Sequence, residues 1–244
     1  MIDQLKIIKA DWDAPGNVIA FSTTRNGGFS EGDYDSFNMG SHVGDKDKCV
    51  LKNRELLKLD NNLPTEPCWL EQTHSVDILE LDSTDFELPT ADGSITSKPN
   101  IVCAVMTADC LPLFLSNKGG TKVGVIHAGW LGMANGIIEK AVIKMAEPVD
   151  QLITWAGPSI SQTYFEIGDE VRAQLGGSSE YYSVSKNKGK CFANLYRLAE
   201  QRLANIGVHN YSYSNACTFA DQDHFFSHRR DKQTGRMVSI IYLS

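Results

Sequence analysis

Apolar residues in this chain cluster in short runs, broken by segments rich in glycine, asparagine, serine and proline. Val18-Ile-Ala-Phe-Ser-Thr-Thr reads as a strand stopped by Arg25-Asn-Gly-Gly. The stretch through Gly32 and Ser36-Phe-Asn-Met-Gly40 reads as loop. From Asp45 to Leu59 the period changes: Val50, Leu51, Leu56 and Leu57 recur at helical spacing among charged residues. Cys68-Trp-Leu and Val76-Asp-Ile-Leu-Glu-Leu are strand-like and flank His74. Residues 83–100 read as loop, with a short strand at Ser94-Ile-Thr.

The centre carries the clearest pattern. Ile101–Met106 and Leu111-Pro-Leu-Phe-Leu are two buried strands, Asn117-Lys-Gly-Gly is a hairpin turn, and Lys122–Ile126 is a third strand. Trp130 to Met145 reads as one helix, with Ile137, Ile138, Ala141, Val142 and Met145 on a single face. Leu152-Ile-Thr-Trp-Ala is a further strand, ended by Gly157-Pro158. Asp169–Leu175 and Leu195–Asn205 follow as helices, the second with Gly207 as its C-terminal cap. Gly176-Gly-Ser-Ser and Lys186-Asn-Lys-Gly-Lys read as loops, and Met237–Leu243 closes the chain as a strand. Strands outnumber helices and hairpins recur. The expected fold is therefore α/β (α+β): mixed β-sheets with helices packed outside, in one domain over residues 1–244.

Composition narrows the function classes. The chain has 244 residues, 42% of them hydrophobic, with a net charge of −7. An acidic chain is a poor general nucleic-acid binder, because that binding rests on Lys and Arg neutralising phosphates. No apolar run approaches the roughly 20 residues of a membrane span. Met1-Ile-Asp-Gln-Leu-Lys has no secretory pattern, and none of the six cysteines forms a Cys-x-x-Cys pair. A cytoplasmic, reduced protein is expected, with no protein partner inferred. Cys103, inside an apolar run, reads as a small core residue.

Three polar residues stand against this background. His74 lies between strand-like runs, Cys110 follows Ile101-Val-Cys-Ala-Val-Met-Thr-Ala-Asp, and His127 ends Val123-Gly-Val-Ile. Brought to one rim, two histidines and a cysteine make a metal site with an open position. They equally make a Cys–His nucleophile pair. Their separations of 36 and 17 residues are not those of a local metal finger, so spacing leaves both readings open. Asp109, Gln72 and Glu166 are candidates for supporting hydrogen bonds or proton transfer. His127-Ala-Gly-Trp-Leu-Gly joins strand to helix, and Gly129 and Gly132 allow close backbone approach to a phosphate or carboxylate. Arg25 is a second candidate anion contact. Asp223-His-Phe-Phe-Ser-His-Arg-Arg-Asp, which contains Arg229, packs charge with aromatics as a candidate substrate segment.

Longer motifs carry a resemblance. Phe21-Ser-Thr-Thr-Arg-Asn-Gly-Gly-Phe-Ser, Trp69-Leu-Glu-Gln-Thr-His, Thr107-Ala-Asp-Cys-Leu-Pro, His127-Ala-Gly-Trp and Phe226-Ser-His-Arg-Arg-Asp-Lys-Gln-Thr-Gly-Arg-Met resemble the laccase-domain family. That family is also called YfiH or polyphenol-oxidase-like, and its members are mostly described as purine nucleoside phosphorylases. The match runs in register from about Val18 to Leu243. It implies a single-domain sandwich and a zinc site on His74, Cys110 and His127. It also implies phosphorolysis of adenosine, inosine and methylthioadenosine, and deamination of adenosine; Arg25 and Arg229, read from the residues, are the candidate substrate contacts. Three positions depart from the family pattern: Ser75 for Gly, Leu131 for Arg, and His228 for Tyr. The resemblance also brings two alternatives, a peptidoglycan-precursor amidohydrolase using Cys110 and a copper polyphenol oxidase. His₂Cys is a ligand set that copper accepts as well. A multicopper centre, however, needs a further histidine cluster, and this chain has six histidines and no His-x-His pair.

Overall fold

The computed structural model describes residues 7–85 and 87–244. Residues 1–6, read above as lacking a leader, and residue 86 in the 83–100 stretch lie outside the described residues. In chain order the elements are β1 (Ile7–Lys9), β2 (Val18–Thr23), α1 (Asp47–Asp60), β3 (Leu79–Leu81), β4 (Gly93–Thr96), β5 (Cys103–Thr107), β6 (Leu111–Asn117) and β7 (Val123–Ala128). Then come α2 (Trp130–Ala134), α3 (Ile137–Met145), β8 (Leu152–Ala156), β9 (Glu166–Gly168), α4 (Asp169–Leu175), β10 (Tyr182–Val184) and β11 (Lys190–Ala193). The last are α5 (Leu195–Asn205), β12 (Tyr211–Tyr213), α6 (His228–Asp231) and β13 (Met237–Leu243).

Two sheets face each other. One is antiparallel, in the order β1-β2-β13-β5. The other is six-stranded and mixed, in the order β12-β8-β6-β7-β4-β3, with parallel pairs only at its two edges. Val105 and Ile241 of the first meet Phe114, Val123, Val125 and Trp155 of the second in the central core. Outward residues of the same strands fill two further layers. Met106, Val238 and Ile240 pack on Leu57 of α1, while Leu113, Leu115 and Ile126 pack on Ile137, Ile138 and Val142 of α3 and on Leu198 of α5. Both faces of β5, β6 and β13 are thus covered, which is why these strands read as unbroken apolar runs rather than alternating ones. The helices lie outside a sandwich of mixed sheets, as expected.

The predicted helix from Trp130 to Met145 is two helices. Gly136 sits at φ +91 between them; its N–H bonds to the Met133 carbonyl and its own carbonyl accepts the Lys140 N–H. Apolar spacing runs across the break, but Asn135-Gly136 ends one helix and starts the next because glycine reaches left-handed φ without Cβ strain. Pattern reading also missed β1, the small β10-β11-β9 sheet and β12. These strands are three or four residues long, and the last residue of the Lys186–Lys190 loop opens β11.

Register decides what reaches the rim of the sandwich. Thr107 at the end of β5 pairs with Met237 at the start of β13. Leu111 at the start of β6 pairs with Ala128 at the end of β7, and Ile126 pairs with Gly93 at the start of β4. The segments before β4, after β5, before β6, after β7 and before β13 therefore converge at one end. Among the described residues, no helix is long and apolar enough to cross a membrane.

Candidate metal centre

His74, Cys110 and His127 meet at this end, with their ligand atoms all within 4.8 Å of one another. The two imidazoles are edge-to-face, centroids 4.8 Å apart. His127 belongs to β7 and is 4% exposed. Cys110 lies in the tight turn between β5 and β6. His74 is not on a strand: it sits in a loop at φ +59, a left-handed conformation that is costly for a residue with a side chain.

A carboxylate that sequence reading missed explains that conformation. Asp92, fully buried just before β4, accepts the backbone N–H groups of three successive residues: Thr73 at 3.1 Å, His74 at 3.1 Å and Ser75 at 2.6 Å. A turn through left-handed backbone aims consecutive N–H groups at one anion. The same Asp92 Oδ1 is 2.8 Å from Nδ1 of His127, and the Asp92 carbonyl accepts the His127 N–H. One side chain therefore positions two of the three candidate ligands. The Asp–His bond engages Nδ1, leaving Nε2 available to a metal.

Asp109 holds Cys110 in a parallel way. At φ +94, it accepts from Thr218 Oγ1 at 2.7 Å, Ser227 Oγ at 3.0 Å and the Arg229 N–H at 2.6 Å. Gln72 is a strut: its amide exchanges two hydrogen bonds with the Met106 backbone. Glu166 is turned elsewhere, its carboxylate accepting from Ser185, Asn187 and Lys190 along the β9–β11 edge.

Burial works against a Cys110 thiolate, yet the charge of His127 and hydrogen bonds from both histidines bring the thiol down to about 6. Burial likewise works against a charged His127, which the Cys110 thiolate and Asp92 hold up at about 9. A thiolate flanked by two imidazoles is a donor set that suits zinc, with room for a fourth ligand. Gly129 supplies an independent sign of fit. A Cβ there would lie 3.1 Å from Cys110 Sγ and 3.1 Å from His74 Cδ2, so the backbone passes directly over the ligand cluster. Gly129 has an ordinary φ of −64, and alanine is compatible with it. Gly129→Ala is expected to lower metal affinity about 10- to 100-fold with little change in thermal stability, checked by competitive chelator titration.

The cluster lines a cavity of about 510 Å³, within the usual range for small-molecule sites. Phe165, Ile160 and Trp130 give it an apolar wall; Arg229 and Arg236 give it positive charge, and His42 and His228 also line it. Arg229, predicted from sequence, lines this cavity. Arg25 lies elsewhere: its Nε donates to the Asp35 carbonyl, its Nη1 to the Gln222 carbonyl, and its guanidinium covers the Phe226 ring. It ties two loops together outside the cavity wall. His42 sits in no local pattern pointing to a ligand, and Arg236 stands out in the sequence only as part of the Phe226–Met237 motif. Of the three departures from the family pattern, His228 lines the cavity. Ser75 is part of the Asp92 cradle, and Leu131 is half-buried in α2, away from the wall.

The profile of the multi-copper polyphenol oxidoreductase laccase family matches residues 19–244. The chain belongs to this family. It is 43% identical over 240 residues to the protein named purine nucleoside phosphorylase YfiH of Escherichia coli (strain K12), spanning 98% of this chain and 99% of that one. It is 40% identical to the purine nucleoside phosphorylase of Haemophilus influenzae, with the same coverage. The solved structure of Neisseria meningitidis protein NMB0706 superposes with a TM-score of 0.92 at 38% identity, covering 98% of this chain and 99% of that chain. YlmD from Geobacillus stearothermophilus gives a TM-score of 0.87 at 29% identity.

Proposed function

We propose that this laccase-family protein is a zinc-dependent purine nucleoside phosphorylase that also deaminates adenosine. The observation carrying this reading is the His74–Cys110–His127 cluster, which lines a cavity together with apolar residues and two arginines. The names borne by its relatives agree with the phosphorylase part of it. The cysteine sulfur and one ring nitrogen from each histidine would hold the metal. Zinc there supplies Lewis acidity and brings the pKa of water near 7.

The remaining work falls to the chain's own groups. In phosphorolysis a phosphate oxygen attacks C1′ of the ribose and the C1′–N9 bond breaks. The electron pair leaves with the base, which takes up a proton. The barrier is lowered by holding phosphate in line with that bond and by shedding water around both. The Phe165 and Trp130 wall offers a surface for the purine, and the cationic groups offer charge for the phosphate. Among the described residues Asp109 is the one carboxylate lining the cavity, and its oxygens accept from Thr218, Ser227 and the Arg229 N–H. In deamination, water adds at C6 and ammonia leaves.

One observation favours a second reading. Cys110, His127 and Asp92 stand in the order of a nucleophile, a base and an orienting carboxylate, as in a cysteine amidohydrolase acting on a peptidoglycan precursor. His74 is superfluous to a triad and necessary to a metal site, which is why the metal reading leads. Anaerobic incubation with adenosine separates them. Ribose 1-phosphate and adenine are expected only when phosphate is present, and inosine with or without it. A protein that makes none of these, yet releases a muramyl-linked amino acid after chelator treatment, would reverse the assignment.

A further inference from the structure

The two cationic walls of the cavity differ in what they leave free. Arg229 lies 5.3 Å from the Phe165 ring centroid and donates Nη1 to the Glu166 and Tyr164 carbonyls. It is part of the aromatic wall. Arg236 comes from the opposite strand neighbourhood, at the residue before β13. Its N–H donates to Asn38 Oδ1 at 2.9 Å and its carbonyl accepts the Met39 N–H at 3.1 Å, so its backbone is clamped against the 38–40 segment. Asn38 is fully buried, and Gly40 lets the arginine stem pass: a Cβ there would be 3.0 Å from Arg236 Cγ. Nη1 donates to the carbonyls of Thr234 and Gly235, turning that corner of the guanidinium back onto its own loop. Its Nε and Nη2 have no partner among the described residues, nor does Arg236 form a salt bridge there.

His42 shares this wall. Burial, and then the charges of Arg236 and Arg54, keep its ring below the ordinary histidine value, so it offers a neutral N–H beside the guanidinium. A fixed guanidinium edge with two open donors matches two oxygens of a tetrahedral oxyanion. Burial disfavours this guanidinium, the charges of Cys110 and Asp109 offset that only in part, and no carboxylate lies at ion-pair distance among the described residues, so a bound anion would complete the edge.

We propose that Arg236 and His42 form the oxyanion subsite of the cavity, taking inorganic phosphate, while the Phe165–Arg229 wall takes the purine. The identity of the anion rests on the phosphorolytic reading above; the existence of the subsite does not. The test uses the full-length, zinc-loaded protein in two measurements: calorimetric titration with inorganic phosphate, and inosine phosphorolysis with each substrate varied. Arg236→Met should raise the phosphate Kd and KM about 10- to 100-fold and shift the inosine KM by less than about 3-fold. Arg236→Lys should restore part of the phosphate affinity, and His42→Asn should weaken it by a smaller factor. Arg229→Met should give the reverse split, raising the inosine KM. Phosphate binding unchanged in Arg236→Met, or lost instead in Arg229→Met, overturns the subsite. So does a wild-type protein that binds no phosphate. Wild-type binding that depends on Arg236, without ribose 1-phosphate formation, upholds the subsite and removes the phosphorolytic reading.

Discussion

Replacing Cys110 by alanine should abolish stoichiometric zinc and lower kcat/KM by roughly 10³-fold or more for both phosphorolysis and deamination, a loss of about 4 kcal/mol in transition-state stabilisation. The sulfur is the anionic member of the cluster, and the thiolate offsets the charge of a divalent ion that two neutral imidazoles cannot. Removing it leaves His74 and His127 as a two-ligand site open to water. The fold should survive, because the Cys110 side chain faces the cavity and the neighbouring turn is held by Asp109, not by the sulfur. The readouts are metal content by elemental analysis and the two product assays on the same preparation. Loss of one activity with zinc retained would show that the metal and the chemistry are separable.

Asp92→Ala should have the largest effect on stability. It removes the acceptor for three backbone N–H groups of a part-buried loop and for the buried His127. Each orphaned donor costs about 1–3 kcal/mol and the changes are not additive, so roughly 3–5 kcal/mol is expected, or about 6–20 °C in Tm for a chain of this size. Asp92→Asn keeps one acceptor oxygen; it should lose less stability and still weaken zinc binding about 10- to 100-fold. The pH dependence has a definite sign. Burial opposes ionisation of Asp92, but the His127 and Ser75 hydrogen bonds and the His127 charge outweigh it and hold the carboxyl below its ordinary value of 3.8. A depressed carboxyl contributes stability that is present above the unfolded value and lost as pH falls through the folded one. Denaturant unfolding of wild type and Asp92→Ala should therefore converge as the pH drops below about 3.8. A gap that stays constant down to pH 2 would assign the effect to packing and not to charge.

Particular residues show how far the chain was legible by itself. His74, Cys110 and His127 could be read as one chemical set because each follows or flanks an apolar run, and runs of this kind end at sheet rims. Strand-rich patterning with helices at 3.6-residue spacing was enough for a sandwich of mixed sheets with helices outside. The short edge strands escaped notice because three residues carry too little pattern to stand out from loop. The Asn135–Gly136 break escaped because hydrophobic periodicity does not feel a single left-handed residue.

The support for the site was legible only in part: Asp109 and Gln72 stood out as hydrogen-bonding candidates, but Asp92 did not. Asp92 lies 18 residues from His74 and 35 from His127, and it looks like one of many loop carboxylates until β4 pairs with β7. Arg25 and Arg236 are both arginines next to strands, and nothing local ranks them. The antiparallel pairing of β13 with β5 brings Arg236 beside the cavity, while the carbonyls of Asp35 and Gln222 occupy Arg25. Residue chemistry and local period, which are properties of neighbours in sequence, determined which groups could bind a metal and which segments would form the core. Only tertiary structure decided which carboxylate orients those groups and which cavity guanidinium keeps two open donors among the described residues. Both depend on sheet register, which joins residues far apart in the chain.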